Sequence, residues 1–74
     1  MNDSKFFPGR ELYLRVRAGF ILQDTTVSAW CEVQGIPRQH ALAVLTGQWN
    51  GPKAKRLRTR IIEASGIDKP PLAV

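Results

Sequence analysis

The chain has 74 residues, 43% of them hydrophobic, and a net charge of +5. That length bounds it to one domain with a small core, burying only about 60% of its unfolded surface, and the apolar content excludes wholesale disorder. No apolar run approaches the roughly 20 residues of a membrane span; the longest near the start is Gly19-Phe20-Ile21-Leu22.

Met1-Asn2-Asp3-Ser4-Lys5 lacks the basic-then-apolar order of a signal peptide. Cys31 is the only cysteine and His40 the only histidine, so neither an internal disulfide nor a zinc site can be assembled. The expectation is a cytoplasmic protein without cofactor, metal, small-molecule substrate or membrane partner. The acidic residues show no catalytic pairing, no Ser/His/Asp arrangement is evident, and no glycine-rich phosphate loop is present, so an enzyme is not expected. The positive balance favours a polyanion.

Residues 1–10 read as a flexible N-terminal arm, loose or pinned only by Phe6 and Phe7. The first helix is expected over 11–22, where Leu12, Val16 and Phe20 recur every four residues as one apolar stripe. Leu14, Ala18 and Ile21 form a second strip on the opposite side. The expectation is core, since a small bundle wraps its first helix; the alternative is a dimer surface. Arg15 and Arg17 read as solvated flanks. Thr26 is the N-cap candidate for a second helix over 27–34, and Gly35 ends it as a residue tolerant of positive φ. Ile36 is expected to plug the turn. Pro37 suits the first position of a third helix over 37–46, with Gly47 as terminator.

Gln48-Trp49-Asn50-Gly51 reads as a turn. Pro52 then opens a fourth helix to residue 65, with Ala54, Leu57, Ile61 and Ser65 inward and Gly66 as the stop. Residues 68–74 are expected to form an extended tail, because Pro70 and Pro71 cannot continue a helix. Between Glu32 and Glu63 there is no acidic residue, whereas Arg38, Lys53, Lys55, Arg56, Arg58 and Arg60 fall there. A cationic face built on successive helix starts suits duplex DNA, where phosphate neutralisation supplies most non-specific affinity.

Residues 26–47 resemble the helix–turn–helix of the phage repressor and Cro class, the lambda-repressor-like fold. The resemblance rests on Val27 opening the second helix, Trp30 as its apolar anchor, and Cys31 as the small residue at the helix crossing. Gly35 and Ile36 form the turn, and Ala41, Val44 and Leu45 face inward on the third helix. A steep crossing of two short helices needs a small side chain at the crossing and a flexible turn residue. Gln34 and Pro37 depart from the usual pattern, which more often has an apolar residue and a Ser or Thr cap there. The likeness extends over about residues 12–67. It implies an all-α, compact domain of four helices, with a fifth allowed, over 11–67. It further implies a sequence-specific DNA-binding transcriptional regulator of the small phage or prophage kind.

In that class the third helix enters the major groove and its first residues meet base edges. Carried over, the base-contacting set is Arg38, Gln39, Leu42, Ala43 and Thr46. Arg38 can bridge guanine O6 and N7, Gln39 can pair with adenine, and Leu42 and Ala43 can pack on a thymine methyl. The phosphate-contacting set is Thr26 and Ser28 at the second helix start, His40, Trp49, and Lys53, Lys55 and Arg56 at the fourth. Trp49 reads either as a loop anchor or as a sugar–phosphate contact, and Arg58 and Arg60 as solvated or reaching a neighbouring phosphate. One such unit reads few base pairs, so a homodimer on DNA is expected, through Leu14, Ala18 and Ile21 or through the tail around Ile67 and Leu72. Two other functions fit the same residues. One is a helical protein-interaction module, such as a phage-encoded inhibitor of a host protein. The other is an architectural or excision factor that bends DNA.

Overall fold

The computed structural model describes residues 6–68. It contains four helices: α1 (Arg10–Leu22), α2 (Val27–Gln34), α3 (Arg38–Thr46) and α4 (Pro52–Ser65). No strand occurs among the described residues. The first five residues of the arm, and the tail from residue 69 with Leu72, lie outside them. None of the four helices is long and apolar enough to cross a membrane.

The helix ends follow local chemistry. The Thr26 hydroxyl accepts from the Ala29 amide at 3.0 Å and caps α2. Gly35 closes α2 with φ 72°, in the left-handed region that a side chain resists. Its amide and that of Ile36 donate back to the Glu32 and Cys31 carbonyls. Pro37 differs from expectation. With φ −59° and ψ 135° it stands before α3 as the N-cap, and Arg38 is the first helical residue. The Pro37 carbonyl accepts from the His40 amide, so the ring supplies a preset φ and no side-chain cap.

Leu12, Val16 and Phe20 of α1 meet Val27 and Cys31 of α2, Ala41, Val44 and Leu45 of α3, and Ala54, Ile61 and Ile62 of α4 in one core. Trp30 is only half-buried and tilts against Phe20, with ring centroids 6.0 Å apart. The arm is held by more than its aromatics: the Gly9 amide donates to the Leu45 carbonyl at 2.8 Å.

The second strip of α1 is not core. Leu14 is 42% exposed, Ile21 57%, and Ala18 is exposed as well. The other helices wrap only the Leu12, Val16 and Phe20 side of α1. Near its end α1 instead presses closely on α4. A Cβ placed on Gly19 would overlap the Ser65 carbonyl oxygen and come within 2.9 Å of the Ile67 side chain. The Gln23 amide group then donates to the Ala64 and Ser65 carbonyls at 3.0 and 2.9 Å, capping the α4 C-terminus from outside the helix.

This contact makes a prediction. Gly19→Ala forces α1 and α4 apart against backbone and lowers stability by about 1–3 kcal/mol, the usual cost of overpacking. A urea midpoint equal to that of the parent chain would show the approach to be slack.

Candidate nucleic-acid interface

On α3, each residue turns the wheel by about 100°. Ala41, Val44 and Leu45 point inward and are buried. Arg38 and Gln39, in the first turn, are exposed, while Leu42 and Thr46 are half-buried on the same outward arc. Thr46 donates its hydroxyl to the Leu42 carbonyl at 2.7 Å, which leaves its methyl as the group a base edge would meet.

Ala43, which the resemblance puts in the base-contacting set, is instead buried, with 6% exposure. The amides of Gln48 and Trp49, in the turn after α3, donate to its carbonyl at 2.9 and 3.2 Å. A thymine methyl cannot reach it there. The outward set is Arg38, Gln39, Leu42 and Thr46.

The flanks of α3 carry cationic side chains and helix starts. On one side, Thr26, Ser28, Arg17 and Arg38 line a single groove with Tyr13, Val27 and Ile21. Thr26 spends its hydroxyl on Ala29, which leaves the Val27 and Ser28 amides of the α2 start for an incoming anion. Arg17 was read as a solvated flank, and sequence reasoning missed its place beside Arg38. The available signal was its spacing from Ile21, one helical turn along the outer face of α1. On the other side, His40 shares a groove with Lys53, Arg56 and Arg60 of α4. Lys55 is parted from them. It lies on the opposite flank of α4, beside Phe6, Phe7 and Pro8.

Trp49 is 47% exposed and packs on His40, ring centroids 4.8 Å apart. Its backbone is the part that is anchored. Arg58, read as solvated or phosphate-reaching, is instead buried, with 9% exposure. Its Nε donates to the Val44 carbonyl at 2.7 Å, and one terminal nitrogen donates to the Trp49 carbonyl at 3.0 Å and to Asn50 Oδ1 at 2.7 Å. Asn50 in turn donates to the Gly47 carbonyl at 2.7 Å. The guanidinium thus caps the end of α3 and pins the turn that leads into α4. Burial pulls the Arg58 pKa down, yet arginine starts so high that it stays charged. Arg60, by contrast, donates to Gln34 Oε1 at 3.0 Å and lies over the Trp30 ring.

Cys31 is buried at the α2–α3 crossing. Burial pushes its thiol pKa up and the Arg38 charge only partly opposes that, so it stays a protonated packing group. Among the described residues no three His, Cys, Asp or Glu side chains lie together as a metal site. The chain matches no family model, no curated protein and no solved structure.

Arg58→Met keeps the apolar stem and removes every one of these donors. It leaves buried carbonyls unsatisfied and is expected to cost about 2–3 kcal/mol in a urea titration. In a Trp30→Phe background, Trp49 emission is also expected to shift to the red as the turn loosens. An unchanged midpoint and spectrum would mean that the guanidinium is dispensable.

Proposed function

We propose that the chain is a sequence-specific, double-stranded DNA-binding transcriptional regulator of the phage-repressor type, acting in the cytoplasm without catalysis. One observation carries this reading. The first turn of α3 presents Arg38 and Gln39 outward, between the start of α2 and the start of α4, with cations on both flanks. Taking α2, the turn at 35–37 and α3 as a helix–turn–helix supplies the rest: α3 enters the major groove and the flanking helix starts rest on the two strands. Arg38 and Gln39 are the base-reading pair, with Leu42 and the Thr46 methyl as apolar contacts. Ser28, the Val27 and Ser28 amides, Arg17, His40, Lys53 and Arg56 hold phosphates, and Trp49 lies against sugar–phosphate beside His40.

A helix of nine residues reads few base pairs. Specific binding therefore uses two copies on half-sites about 34 Å apart, one turn of DNA. The exposed Leu14, Ala18 and Ile21 strip offers an apolar surface for pairing.

Fluorescence anisotropy on a selected duplex and a random duplex, across a salt series, tests the proposal. Arg56→Ala should weaken both complexes alike and reduce the salt slope by about one. Gln39→Ala should leave the slope alone and lose about 1–3 kcal/mol of discrimination at a single base pair. Equal affinity for every duplex would make the protein an architectural factor, and absence of binding at low salt would end the DNA reading.

A further inference from the structure

The groove between the α3 start and α4 has two kinds of lining. Its floor is the half-buried Ile36 and Leu57, edged by the exposed Pro37, and its rim is the exposed His40, Lys53 and Arg56, with Arg60 also lining it. No acidic side chain lines it. Among the described residues neither Lys53 nor Arg56 has a carboxylate partner. Phosphates alone would satisfy the rim, but a duplex backbone carries no apolar side group to cover the floor. A polypeptide supplies both, with carboxylates for the rim and a bulky aliphatic side chain for the floor.

We propose that this groove binds an acidic peptide segment of a partner protein, anchored by one large apolar residue. Charge complementarity selects the partner, and the floor distinguishes it from a simple polyanion. Because His40, Lys53 and Arg56 also belong to the phosphate-holding set, the peptide and DNA exclude one another. That last step rests on the proposed DNA binding; the peptide site itself does not.

The test uses the full chain and a fluorescein-labelled heptapeptide of alternating glutamate and aspartate with one central leucine. Its control has glycine in place of that leucine. The leucine peptide should bind at least tenfold tighter than the control. Lys53→Glu together with Arg56→Glu, both exposed positions, should weaken it at least tenfold without disturbing the fold. Leu57→Ser should abolish the preference for leucine while leaving duplex affinity within twofold; circular dichroism checks that this variant is folded. Equal binding of the two peptides, or no binding of either, overturns the site. If the peptide binds and no duplex does, the groove stands and the DNA reading falls. If both bind but unlabelled leucine peptide fails to displace duplex, the mutual exclusion is wrong.

Discussion

The Arg58 guanidinium holds the end of α3, the turn after it and the approach to α4 together. A helix leaves its last carbonyls unpaired, and a helix followed at once by a tight turn buries some of them. Here a single planar cation from α4 answers the Val44 carbonyl, the Trp49 carbonyl and the Asn50 side chain at once. The three acceptors span the end of α3 and the turn. One side chain therefore ties the end of α3, which Gly47 stops, to the Trp49 backbone beside His40 and to the approach to α4. A lysine would offer a point charge with no fixed fork, so the planarity of arginine matters as much as its charge.

That arrangement resolves the apparent surplus of cations. Of the basic residues between Glu32 and Glu63, Arg58 is structural and Arg60 is engaged with Gln34 and Trp30. Lys55 faces the arm. Arg38, Lys53 and Arg56 remain exposed around the start of α3, joined by Arg17 from α1. Charge in a short basic helix thus divides among fold, packing and surface, and only its angular position tells which is which.

Much of the fold was legible because its punctuation is strong. Glycines at 35, 47 and 66 each stop a helix in the left-handed region, and Thr26 and Pro52 start helices for elementary reasons. Ala41, Val44 and Leu45 on α3 and Ala54, Ile61 and Ser65 on α4 followed from period alone, while Leu57, expected inward with them, is only half-buried. Three features did not. Pro37 is compatible with either side of a helix boundary, and the position of the turn decided it. Ala43 lies on the outward side of α3 by local geometry, yet it is buried in the folded chain. Leu14, Ala18 and Ile21 have the pattern of a core stripe, yet the neighbouring helices cover only one side of α1. Arg58 was findable: it shares the angular sector of Ala54, Ile61 and Ser65 on α4, and a cation among buried positions signals a cap. For the α1 strip the deciding contacts come from helices far along the chain, where periodicity carries no information, whereas for Pro37 the adjacent turn decides.

The depression that takes in Lys55 has a topological consequence. Phe6 and Phe7 at one end of the described chain, and Asp68 at the other, line the same hollow. Entry and exit points are therefore neighbours, on the flank of α4 away from Lys53 and Arg56. A unit built this way can be spliced into a surface loop of a larger polypeptide, or closed into a ring by a short linker, without stretching either junction.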